Sequence, residues 1–220
     1  TKKLSNLTLP EAILPKFSLS AEHISNHHFL SITDADVGYT QDKMILKNIN
    51  LSLGGKEHVA ICGKNASGKS TLLRAILRQE GILTTGNWHL PPPQHIGYLD
   101  QQYSNLNPEF SVIDHIQKLR PDWTYVEIRR HLNDFLFRKN EEVTQIVSTL
   151  SGGEKVRTSL SMIAAKTPKL LILDEITNNL DLETKQHVIQ VLREYPGAMI
   201  VVSHEEDFLH SLFIDYIYNI

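Results

Sequence analysis

Cysteine is all but missing from this chain: Cys62 stands alone, which excludes a disulfide framework and a multi-cysteine metal site and agrees with a reducing, cytoplasmic setting. Long apolar runs are missing too. A membrane helix needs roughly 18 residues, and stretches such as Leu170 to Leu173 and Ala198 to Val202 fall far short, so no direct membrane insertion is expected. Charge of one sign is also lacking. With 22 basic and 25 acidic residues the formal net charge is −3, leaving no global positive field to hold nucleic acid, although a local basic face stays compatible with it. The amino-terminal stretch has no apolar core of the signal-peptide kind. Thr1 stands where a Met would, and the last residues, Asp215 to Ile220, read as strand, so the chain is expected to be a piece of something longer. What is present is ordinary: 220 residues with 41% hydrophobic content suffice for one domain, with room for a lobe, and a sizeable core.

Residues 1–28 carry Pro10, Pro15 and little periodicity, and read as a linker or amino-terminal extension. From Phe29 the pattern is β-rich: Leu30 to Val37, then Ile49, Leu51 and Leu53 alternating with polar residues, then His58 to Cys62. Leu72, Leu73, Ile76 and Leu77 fall on one helical face after a glycine-rich turn, and Asn87 to Leu90 and His95 to Leu99 read as further strands. Residues 102–149 differ in kind. Val112, Ile113, Ile116 and Leu119, then Tyr125, Ile128, Leu132, Phe135 and Leu136, recur at helical spacing, which predicts an inserted helical lobe. Alternation of strand and helix then resumes to the end, with helices over 153–165, 182–194 and 205–212 and strands over 169–173, 198–203 and 215–219. An α/β fold with a largely parallel sheet covered on both faces follows.

Gly63-Lys64-Asn65-Ala66-Ser67-Gly68-Lys69-Ser70-Thr71 matches the G-x-x-x-x-G-K-[ST] phosphate loop, between a strand and a helix as the motif requires. Successive backbone N–H groups there form an anion nest and the helix N-terminus adds its dipole; Lys69 supplies a point charge and Ser70 an Mg2+ ligand. Lys169 to Glu175 is an apolar strand ending in two carboxylates. A buried parallel strand delivers its last side chains to the carboxyl edge of the sheet beside such a loop. Asp174 would there bind Mg2+, directly or through water, and Glu175 would act as general base on the attacking water. Leu150-Ser151-Gly152-Gly153-Glu154 reads first as a capping box, Ser151 with Glu154. A cap does not explain two glycines.

At these residues the chain resembles the ATP-binding cassette (ABC) ATPases, whose signature is LSGGQ or LSGGE. The resemblance covers residues 29–220. It implies a phosphate-loop fold with a mostly parallel core sheet, an antiparallel β subdomain and the 102–149 lobe inserted within one ATPase domain. It implies ATP as substrate with Mg2+, and hydrolysis to ADP and phosphate. It gives further residues roles: Ser151, Gly152 and Gly153 reach the γ-phosphate held by a second cassette, Tyr39 stacks on adenine, and Gln101 contacts Mg2+ and water, although Gln102 beside it leaves that register open. His204 resembles the switch histidine on the γ-phosphate. Asp181 resembles the aspartate that communicates between paired sites, or caps the helix from Leu182, or both. The runs LSGGEKVR, DEITNNLD and SHEEDFL look like the ABC-F proteins, two-cassette ATPases that act on the ribosome in translation, with Ile176 and Asn179 departing from the usual DEPTNHLD. Ala66 stands where glycine is frequent. The partner cassette lies on the same full-length chain or in a homodimer. The alternative is the cytoplasmic ATPase subunit of a membrane transporter. A chromosome-structuring ATPase would place a long coiled coil between loop and signature, and residues 102–149 hold no sustained heptads.

Overall fold

The computed structural model describes residues 29–178 and 180–220. The linker reading for residues 1–28 and the departure at Asn179 lie outside the described residues.

Two strands, β1 (Leu30–Thr40) and β2 (Lys43–Leu53), form an antiparallel hairpin with Leu30 opposite Leu53 and Thr40 opposite Lys43. The alternation in β2 turns Ile49, Leu51 and Leu53 inward, because successive strand side chains point to opposite faces; Leu46 joins them across an irregularity in the pairing, where Asn48 has φ 54. Two short strands, β4 (Leu83–Thr84) and β5 (Asn87–His89), pair antiparallel with β1. The pairing of β4 was invisible in the sequence, since two residues carry no periodicity.

The second sheet is parallel throughout. Its order is β6-β7-β8-β3-β9, from β3 (His58–Cys62), β6 (Ile96–Asp100), β7 (Leu170–Asp174), β8 (Ala198–Val202) and β9 (Tyr216–Asn219). In the central strands both faces are buried. Val59, Ile61, Leu170, Ile172, Ala198 and Ile200 pack with helix α1 (Lys69–Ile76) and the hairpin, whereas Ala60, Leu171, Leu173, Met199 and Val201 pack into the opposite cluster. That explains why β7 and β8 read as continuous apolar runs.

The opposite cluster is built on helices α2 (Val112–Leu119), α3 (Tyr125–Asp134), α4 (Asn140–Thr144), α5 (Gly152–Lys166), α6 (Leu182–Arg193) and α7 (Glu206–Ser211). Reciprocal caps start three of them: Ser111 with Asp114, Thr124 with Glu127 and Ser151 with Glu154. Ile128, Leu132 and Phe135 are buried as the helical spacing predicts. Tyr125 is not: at the first position of α3 it is 57% exposed. Helix α3 stops where Leu136 turns to φ 65, and the chain folds Phe137 back into the core at 1% exposure. Burying such a side chain contributes about 1.5–3 kcal/mol.

Candidate functional site

The carboxyl edge of the parallel sheet carries the chemistry. Strand β3 ends at Cys62, the loop 63–68 crosses the edge, and α1 begins at Lys69. Gly68, the residue before the helix, has φ 110, and a Cβ there would lie 2.7 Å from a Leu46 methyl, so both backbone and packing demand glycine. The Lys69 ammonium is buried and donates to the carbonyls of Gly63 at 2.9 Å and Lys64 at 3.0 Å. Ammonium carries three donors, and two are spent on the loop. Ser67 Oγ is buried with no hydrogen-bond partner among the described residues. An orphaned hydroxyl beside a held cation and a helix N-terminus fits a phosphate group, which would accept from both.

Two depressions flank the loop and share Ser70 and Glu175. Arg74, Tyr98, Gln101, Gln102 and Asp174 help to line the first; Tyr39, Asn65, Ala66, Gly68, Lys69 and Thr71 help to line the second. The Tyr39 hydroxyl lies 3.5 Å from Thr71 Oγ1, and this contact, with the nearby charges of Arg74 and Lys43, holds the phenol below its usual range. Tyr39 is 42% exposed and stands beside the loop residues Asn65, Ala66 and Gly68. Gln101 and Gln102 both line the depression that holds Asp174.

Parallel pairing sets Asp100 beside Asp174 at the ends of β6 and β7. Burial pushes the Asp174 carboxyl up; the Tyr98 hydroxyl, donating to its Oδ2 at 3.3 Å, pulls the other way, while the neighbouring Glu175 and Asp100 carboxylates add to the rise. A half-buried carboxylate in this field gains most from a cation. Ser70, Asp174 and Gln101 offer the hard oxygen donors that Mg2+ takes, with phosphate and water completing its shell, so the residues fit that ion. Tyr98 and Arg74 escaped sequence reasoning. The period-2 spacing of Tyr98 and Asp100 on β6 was the signal that could have found the tyrosine.

Glu175 has φ 52, a left-handed backbone that is rare for a side-chain-bearing residue and costs roughly 1–3 kcal/mol. Its N–H is tied to the Val202 carbonyl at 2.9 Å. Its carboxylate meets His204 Nε2 at 3.2 Å, and Asn178 Nδ2 at 3.5 Å. The structure thus brings Lys69, Ser70, Asp174, Glu175, Gln101 and His204 to one edge. It does not bring the signature there: neither depression is lined by Ser151, Gly152 or Gly153. Ser151 caps α5, donating to Glu154 Oε2 at 2.7 Å. Asp181 caps α6 through the Thr184 N–H at 2.9 Å. The signature and α6 touch, because a Cβ on Gly153 would lie 3.0 Å from Thr184 Oγ1.

Ala66 is in the left-handed region at φ 63, where its methyl costs about 1–2 kcal/mol. Ala66→Gly is expected to raise stability by about 0.5–1 kcal/mol, the strain relieved exceeding the added freedom of the unfolded chain. Urea denaturation with an unchanged slope checks this, and a lowered midpoint would contradict it.

A glycine-rich loop whose groups fit a phosphate, set between a strand and a helix, with paired carboxylates at the end of another strand of the same parallel sheet, defines a phosphate-loop nucleotide-binding domain. Residues 46–178 match the family described as ABC transporter, and the chain belongs to that family. It is 38% identical to the probable ATP-binding protein YheS of Haemophilus influenzae over 76% of this chain and 26% of that protein. It is 35% identical to the YheS of Escherichia coli K12 over 89% of this chain and 30% of that protein, and 35% identical to the ATP-binding protein Uup of Haemophilus influenzae over 80% and 28%. The chain therefore spans less than a third of the length of these curated relatives. Among solved structures, a bacterial Atm1-family ABC exporter with ATP bound superposes with a TM-score of 0.66 at 25% identity, covering 82% of this chain and 35% of that one. The phosphate-loop fold with its antiparallel subdomain is that of an ABC ATPase. Among the described residues no helix is long and apolar enough to cross a membrane.

Proposed function

We propose that this chain is an Mg2+-dependent ATP-hydrolysing cassette of the ABC-F branch, the second of two on a longer cytoplasmic chain, acting on the ribosome in translation. Residues 29–220 form the ATPase domain in this reading, with residues 102–149 as its lobe and residues 1–28 as the end of the linker between cassettes. The observation that carries the enzymatic part is the Glu175–His204 contact of 3.2 Å in a carboxylate that lines both depressions at the phosphate loop. The branch is supported by the runs from Leu150 to Arg157, Asp174 to Asp181 and Ser203 to Leu209.

ATP lies with its adenine on Tyr39 and its phosphates along the amides of residues 63–71. Ser70 and Asp174, with Gln101, would hold the Mg2+ whose charge offsets that of the β- and γ-phosphates. Glu175 accepts the proton of the attacking water. Lys69 and the loop amides stabilise the charge that develops in line with that attack, and His204 orients Glu175 and reaches the γ-phosphate. Ser151, Gly152 and Gly153 serve the nucleotide of the second cassette, with Asp181 between the two.

The full-length protein, made unable to hydrolyse ATP, is expected to co-sediment with ribosomes in ATP and to leave them in ADP. Co-purification with an integral membrane subunit, and no ribosome association, would instead establish the transporter reading that the exporter's likeness keeps in play.

A further inference from the structure

Glu205 stands at the N-cap of α7, yet its side chain makes no cap hydrogen bond. It turns away to an ion pair with Lys185, and the Lys185 ammonium, together with the Thr177 hydroxyl, holds its carboxyl below the usual range. The Glu205 N–H donates to Ser203 Oγ at 3.1 Å, which closes the main chain around His204. Lys185 is itself oddly placed. It sits four residues past the Asp181 cap of α6, at the end of the helix that favours anions over cations. A partner outside the helix explains it.

The groups on either side of this pair matter. On one side, Thr184 precedes Lys185 and packs so closely on Gly153 that a Cβ there would meet its Oγ1 at 3.0 Å. On the other, His204 precedes Glu205 and meets Glu175 at 3.2 Å. Thr177 lies two residues beyond Glu175 on the segment that leads to Asp181. Signature, α6, Glu205, His204 and general base are therefore linked by three contacts, Gly153 with Thr184, Lys185 with Glu205 and His204 with Glu175, joined through the main chain at residues 184–185 and 204–205.

We propose that the Lys185–Glu205 pair is a positioning device that ties His204, and through it Glu175, to the signature end of α5, so that a nucleotide gripped by Ser151 to Gly153 helps to set the base of this cassette. This deepens the shared-site reading above and rests on it. Both side chains are partly shielded, at 24% and 36% exposure, so the pair is less screened than an open surface contact. Neither residue lines the depressions at the phosphate loop.

The test is a double-mutant cycle in the full-length two-cassette protein. Lys185→Met and Glu205→Gln are each expected to lower kcat roughly three- to tenfold, while affinity for a fluorescent ATP analogue stays within about twofold of the parent, since neither residue touches nucleotide. The double variant should be no slower than the worse single one, and Lys185→Arg, which keeps the charge, should retain the parental rate. Losses that multiply in the double variant, a kcat unchanged in both singles, or equal losses in affinity and turnover would each overturn the inference. A parent that hydrolyses no ATP would remove the functional reading and this inference with it; unaffected variants in an active parent remove the inference alone.

Discussion

Glu175→Gln is expected to keep ATP bound and to lower turnover by roughly 10²–10⁴-fold, the range a positioned general base supplies. The carboxylate lines both depressions at the phosphate loop and is aimed by two independent constraints. Its left-handed backbone at φ 52 is pinned by the hydrogen bond to the Val202 carbonyl, and its Oε1 meets His204. Glutamine has the same length and the same backbone demands, so neither the strain nor the pinning changes, and stability should be preserved within about 0.5 kcal/mol. What is lost is the site that takes the water's proton. Phosphate release under single-turnover conditions, set beside retention of labelled ATP, checks the split. Parental turnover in a properly paired assembly would contradict the role.

Ser151→Arg is expected to remove the rate gained by pairing two cassettes, a loss of about 10²–10³-fold, the magnitude of one preorganised donor at a reacting oxygen. The local cost is separate and smaller. Ser151 accepts from the Glu154 N–H at 3.3 Å and donates to its carboxylate at 2.7 Å, and deleting such a cap costs about 0.5–2 kcal/mol. Binding of ATP to the altered cassette itself should be untouched, because its phosphate loop belongs to the depressions that Ser151 does not line. Nucleotide titration and a melting curve on the same sample separate the two effects. Weakened binding in a folded single cassette would place the signature in its own site, against the shared-site reading.

Much of this was legible in the sequence because it is local. The strand, loop and helix over residues 58–76, the buried strand ending at Asp174 and the reciprocal cap at Ser151 are each specified within a dozen neighbouring residues. The rest depends on distant partners. No pattern in the chain announces that Glu175 adopts a left-handed backbone, since that follows from its tie to β8, 27 positions later at Val202. Its contact with His204 and the pairing of Lys185 with Glu205 are likewise products of β7 lying beside β8. Tyr125 belongs to the helix that its spacing predicts but stays exposed, because helical spacing gives a face and the first residue of a short helix can leave that face before packing begins. Ala66 could be read as a departure from glycine, but only its φ of 63 shows what the departure costs.

The most direct test of the shared-site account is the ATPase rate per cassette measured against the concentration of this chain, with light scattering on the same samples. The account predicts slow hydrolysis where the chain is monomeric and a rise in rate per molecule as a second cassette is added or the chain pairs with itself. Full-rate hydrolysis, independent of concentration, in a chain that remains monomeric would contradict it.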